Sequence, residues 1–172
     1  MKTMYQTLCM VAMCLFSLAA NAQEVTVKEM SDIKPGSKIN YILDFSEASI
    51  MGMNEKDFSN YESDWQKDKP TISGRFQKGV NNRLGGVLTF GYYTDSPYTM
   101  KVKVKTVTDV GNIYCDAIIT DKAGKTLFSV KNVNGGTEPP ILPGTKLAKM
   151  KIWAQITGRA LGGIIKSEYL GQ

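Results

Sequence analysis

The chain has 172 residues, 42% of them apolar, and its 21 lysines and arginines outnumber 16 acids to give a formal charge of +5. It contains no histidine, which excludes serine–histidine–acid triads, cysteine–histidine pairs, histidine-ligated zinc and an imidazole proton shuttle. Charges of both signs are mixed along the chain rather than gathered into a run, so nucleic-acid binding has no support.

Residues 1–22 read as a secretory signal. Lys2 opens a short polar start, residues 8–18 are almost wholly apolar, and Ala20-Asn21-Ala22 offers a small-x-small cleavage site before Gln23. The apolar stretch is too short to anchor in a bilayer. The expectation is a periplasmic or extracellular protein of about 150 residues, the length of one domain. Cys14 raises a second reading, because lipoproteins are cut before a cysteine that then carries lipid. Met13 is bulky where that peptidase wants a small residue, whereas Ala22 suits the ordinary signal peptidase. Membrane tethering is therefore expected only if Cys14 is lipidated. Cleavage before Gln23 removes Cys9 and Cys14 and leaves Cys115, which excludes an internal disulfide and multi-cysteine metal sites. No metal, cofactor or catalytic residue is expected.

Residues 23–37 mix charge with small residues around the Lys34-Pro35-Gly36 turn and read as a lead-in to one domain over 38–172. A half-buried strand follows over 38–46, where Ile39, Tyr41, Leu43 and Phe45 alternate with Asn40, Ile42 and Asp44. Asn54 offers a helix N-cap, and Phe58, Tyr61 and Trp65 follow at helical spacing. Pro70 suits the start of a second helix carrying Ile72, Phe76, Val80 and Leu84, which Gly85-Gly86 ends.

Residues 87–93 read as a strand. Over 98–107, Tyr98, Met100, Val102 and Val104 point one way while Thr99, Lys101, Lys103 and Lys105 point the other. Residues 113–120 form a strand apolar on both faces and central to the sheet. The loop 121–125, with Gly124, turns into a further strand over 126–133. Asn134-Gly135-Gly136 and Pro139-Pro140 break the pattern, and a long helix runs from about Thr145 to Tyr169. The fold expected is α+β, a mostly antiparallel sheet of about five strands carrying two shorter helices and one long C-terminal helix.

The long helix is apolar on two sides. Leu147, Met150, Ala154, Gly158, Leu161 and Ile165 make one stripe, and Trp153, Ile152 and Ile156 gather on roughly the opposite side. Such a helix is either sandwiched within its own domain or presents a patch to a partner. Gly158 and Gly162 share a smooth strip, for close packing on the sheet or for an oligomer contact. Lys101, Lys103 and Lys105 make a weaker candidate contact surface, equally explained as a solvated sheet face. The aromatic run from Phe90 to Tyr98 brings Tyr92, Tyr93 and Tyr98 beside a turn, the residue type that stacks on sugar rings.

Taken in order, Tyr41-Ile42-Leu43-Asp44-Phe45-Ser46, the helix over 76–84, the strand over 98–107, the 121–125 hairpin and the glycine-rich last helix resemble small exported bacterial α/β domains of unknown function. These are distantly similar to the periplasmic accessory domains of the curli-secretion lipoprotein and of the TolB amino-terminal type. The junction Ala20-Asn21-Ala22-Gln23 is similar to signal ends common in Bacteroidetes. The resemblance implies a non-enzymatic envelope module that docks against protein partners or itself, and it carries over no catalytic residue. The departure from it is a mature start without a lipidated cysteine. A secreted glycan-binding protein is the alternative expectation, and a carboxylate-based glycosidase the third.

Overall fold

The computed structural model describes residues 24–137 and 144–171. The expected signal sequence with Cys9, Cys14 and the expected cleavage junction, and the Pro139-Pro140 break, lie outside the described residues. Among those described, seven strands form one sheet and three helices accompany it. In chain order they are β1 (Glu24–Lys28), β2 (Lys38–Asp44), β3 (Ser49–Ile50), α1 (Glu55–Tyr61), α2 (Trp65–Leu84), β4 (Thr89–Gly91), β5 (Tyr98–Val107), β6 (Ile113–Asp121), β7 (Thr126–Val133) and α3 (Lys146–Leu170).

The α+β class stands, but the mostly antiparallel sheet of about five strands does not. The strand order is β1-β7-β6-β5-β2-β4, and the sheet is mixed. β2 lies between β4 and β5 and runs parallel to both, while β3 runs parallel to β5. Between named strands, antiparallel pairing is confined to the side built from β5, β6, β7 and β1. Connection length is the reason. After β2 the chain passes through α1 and α2 before returning as β4, long enough for a crossover that brings it back in the same direction. β5, β6 and β7 are joined by short turns and run antiparallel. The two further strands are short: β3 has two residues, and β1 lies within the stretch that reads as lead-in.

Local signals set the helix ends. Asn54 Oδ1 accepts the Asp57 N–H at 2.9 Å to start α1, and Thr145 Oγ1 accepts the Ala148 N–H at 3.3 Å to start α3. Gly85 ends α2 in the left-handed conformation at φ 63°. Trp65 begins α2 rather than continuing α1, and Pro70 sits inside α2 instead of opening it. Trp65 anchors the helices to the sheet through edge contacts with Phe45 at 5.2 Å and Phe58 at 5.3 Å.

The core lies between the sheet and α2 with α3. Met100, Val102 and Val104 of β5 are buried, as are Cys115, Ala117 and Ile119 of β6. From the helices, Ile72, Phe76 and Val80 meet Met150, Leu161 and Ile165 in the same core. Each such side chain contributes about 1.5–3 kcal/mol on burial.

α2 and α3 approach so closely that no side chain fits between them. A Cβ added at Gly79 falls on the Gln155 carbonyl, one at Gly158 falls on the Phe76 carbonyl, and one at Gly162 stands 2.7 Å from Val80 O. The glycine strip of the last helix thus receives α2, not the sheet. Gly158→Ala is expected to cost about 1–3 kcal/mol through overpacking. Gly74→Ala, where no atom lies within 4 Å, is expected to stabilise by up to about 1 kcal/mol. Urea midpoints of the two variants check this, and an unshifted Gly158→Ala midpoint contradicts the close approach.

Candidate functional site

β4 is an edge strand, and α2 holds it in place of a further strand. Asn81 Nδ2 donates to Phe90 O at 2.8 Å, and Asn81 Oδ1 accepts the Phe90 N–H at 2.9 Å. Gln77 Nε2 donates to the same carbonyl at 2.9 Å. Side-chain amides thereby satisfy backbone groups that an edge leaves open. Beyond β4 the ring of Tyr93 folds back over Gly91, where an added Cβ stands 2.9 Å from Tyr93 Cε2.

The loop from 92 to 97 then crosses the start of β2. Ser96 Oγ donates to Lys38 O at 2.7 Å and accepts the Tyr98 N–H at 3.0 Å. Tyr98 opens β5 and its hydroxyl donates to Asp32 O at 3.1 Å. These bonds tie the loop, β2 and β5 around a pocket of about 610 Å³.

Tyr92, Tyr93 and Tyr98 all line this pocket, with Lys38, Asp95 and Ser96 beside them. Tyr92 is the most open, 68% exposed. Its hydroxyl lies 3.3 Å from Ser73 Oγ, and its ring makes an edge contact with Tyr41 at 6.5 Å. Lys38 Nζ stands 5.4 Å from the Tyr93 ring centroid, a cation–π contact. Ring faces suit the apolar side of a pyranose, and the hydroxyls and one carboxylate suit its hydroxyl groups. Asp95 is the one carboxylate among the described lining residues, so the pocket lacks the acid pair that glycoside hydrolysis requires. Sequence reasoning passed over Lys38. The signal for Lys38 was only the turn before β2, more than fifty residues from the tyrosines.

The helix residues are placed differently. Trp153 is 1% exposed, and Gly135 lies so close that an added Cβ stands 2.5 Å from Trp153 Cε3 and 3.1 Å from Ile156 Cγ2. The Trp153 Nε1 has no hydrogen-bond partner among the described residues. Ile156 is half-buried, while Ile152 is 39% exposed. The second apolar side of α3 is thus covered in large part by the chain's own segment after β7.

Lys101, Lys103 and Lys105 lie on the sheet face away from the helices and do not join Trp153. Lys101 Nζ pairs with Asp44 Oδ2 at 2.8 Å. Lys103 sits in register between Asp44 of β2 and Asp116 of β6, and Lys105 is exposed. The Lys101 ammonium and the Ser46 N–H, which donates to Asp44 Oδ1 at 2.9 Å, hold the Asp44 carboxyl well below the usual carboxylate range.

Burial pushes the Cys115 thiol far up, with nearby Asp116 adding to it, so the thiolate needed for nucleophilic attack is suppressed. Among the described residues, no group of three or more His, Cys, Asp or Glu stands together in a way that would hold a metal ion, and no helix is long and apolar enough to cross a membrane.

No family model matches the sequence, and no curated protein matches it. Among solved structures the chain is similar to a point-variant PelC dodecamer from Paraburkholderia phytofirmans, at 11% identity and TM-score 0.41 over 81% of this chain and 98% of that one. A second PelC dodecamer from that organism gives 8% identity and TM-score 0.39, over 81% and 96%. Protein XCC0632 from Xanthomonas campestris, of the DUF330 family model, gives 9% identity and TM-score 0.39, over 88% and 96%. Likeness at this level transfers no residue role.

Two outcomes follow from the site chemistry. Because the folded Asp44 titrates below its unfolded value of about 3.9, its stabilisation is present above that pH and is lost as pH falls. Asp44→Asn keeps the Ser46 bond and is expected to flatten the acid limb of the stability curve by about 0.5 kcal/mol, a small figure because water screens the pair. Denaturant titrations from pH 3 to 7 measure it. Cys115 is expected to resist a thiol reagent in the native protein and to react fully in denaturant; rapid native labelling contradicts its burial.

Proposed function

We propose that this chain is a non-enzymatic exported binding protein whose ligand is a glycan held in the tyrosine-lined pocket. The observation that carries the reading is the convergence of Tyr92, Tyr93 and Tyr98 on one pocket of about 610 Å³, within the size range of small-ligand sites. Export rests on the signal pattern of residues 1–22. Lys38 and Asp95 bring one charge of each sign to the pocket, which favours a neutral or weakly charged sugar over a polyanion.

Docking against a protein partner through α3 is the second reading. It draws support from Ile152, an exposed apolar side chain beside half-buried Ile156. Lys101, Lys103 and Lys105 belong to that reading as a separate surface on the other face.

A glycan array followed by calorimetric titration tests the first reading. Tyr92→Ala and Tyr93→Ala are each expected to weaken the selected glycan about tenfold, the equivalent of roughly 1.4 kcal/mol. Ile152→Asp is expected to leave it unchanged. An array without signal, or binding indifferent to both tyrosines, overturns the glycan reading. Loss of a crosslinked envelope partner in Ile152→Asp alone favours the docking one.

A further inference from the structure

The helix pair carries positive charge that the fold does not neutralise. Arg83 lies at the end of α2, and its Nε stands 3.5 Å from the point where a Cβ on Gly163 would sit. Arg159 is four residues before Gly163 on α3, one turn away on the same face. Lys166 reaches the same end of the pair, with its Nζ 4.0 Å from the corresponding point on Gly85. Gly162 and Gly163 offer no side chain where Arg83 lies against α3.

Among the described residues, five lysines are compensated. Lys69, Lys101, Lys125, Lys131 and Lys151 each stand in an ion pair. Among the described residues Arg83, Arg159 and Lys166 stand in none. A bound anion offsets this concentration of positive charge.

Arg83 and Arg159 open onto a groove of about 660 Å³, where the Ser167 hydroxyl adds a neutral donor and Ala160 with Ile164 makes an apolar wall. Glu168 also borders the groove. At 3.6 residues per turn and 1.5 Å rise it lies half a turn round α3 from Arg159 and about 13 Å further along. The carboxylate therefore stands toward the far end of the groove from Arg159.

We infer that this groove binds a phosphate group, carried either by a soluble phosphate ester or by the headgroup of an anionic phospholipid. Planar guanidinium forks match the several oxygens of phosphate and form short charge-assisted bonds to it. The apolar wall suits the carbon skeleton that the ester carries. This site is distinct from the tyrosine pocket and does not depend on it.

The test titrates the purified protein at low salt with glycerol 3-phosphate, and separately sediments it with phosphatidylglycerol or phosphatidylcholine vesicles. Saturable binding is expected, weakened at least tenfold by Arg83→Gln and by Arg159→Gln. Lys122→Gln, in the β6–β7 loop, is expected to leave it unchanged. Unmoved thermal midpoints establish that the variants fold. Arginine-dependent binding to the ester assigns a soluble source, and arginine-dependent binding to phosphatidylglycerol vesicles alone assigns a lipid headgroup. The inference is overturned by a lack of saturable binding in every arm. Binding that falls equally in Lys122→Gln overturns it as well, since it then reflects diffuse charge.

Discussion

The contact on which the rest depends is the backbone-to-backbone approach of α2 and α3. Gly79, Gly158 and Gly162 place bare backbone against the carbonyls of Gln155, Phe76 and Val80. Any larger residue would push the helices apart, and the core needs them together. Phe76 and Val80 from one helix and Ala154, Leu161 and Ile165 from the other fill a single layer over the sheet. The buried Thr157 hydroxyl donates to Ile113 O at 3.4 Å, so α3 is also tied to β6. Close-packed interiors transmit such constraints because they hold few voids.

Both candidate sites are consequences of that seam. α2 carries Asn81 and Gln77 to the edge of β4, and the chain leaves β4 straight into Tyr92 and Tyr93. The other end of the route is fixed by Ser96 on Lys38 and by Tyr98 on Asp32. The pocket is therefore set by elements rather than by a free loop. On the outer side, Gly163 next to the seam carries no side chain, and Arg83 and Arg159 border an open groove there.

Elements with strong local signals were legible in the sequence. The alternation of β5, the β6–β7 turn, the Asn54 and Thr145 caps and the Gly85 stop each depend on a few neighbouring residues, and each is where the pattern puts it. The parallel pairing of β2 was not legible, because its partners β4 and β5 lie beyond two helices and alternation says nothing of direction. β3 is too short to show a period. Trp65 fits the spacing of α1, yet the chain turns at Glu62 and restarts, which periodicity does not register. The covering of Trp153 was hidden for a similar reason: Gly135 reads as a breaker, and its role as a lid over an indole needs the fold. The tyrosine cluster was legible because three of its members lie within seven residues, whereas Lys38 joins them only through the sheet.

Native-state hydrogen exchange at the helix seam tests the dependence on that contact most directly. Amides of residues 76–80 and 155–162 are expected to exchange only through global unfolding, with protection free energies equal to the stability measured by denaturant. Exchange of these amides through local opening, several kcal/mol below the global value, would contradict the claim that the glycine contact holds the fold and both of its candidate sites.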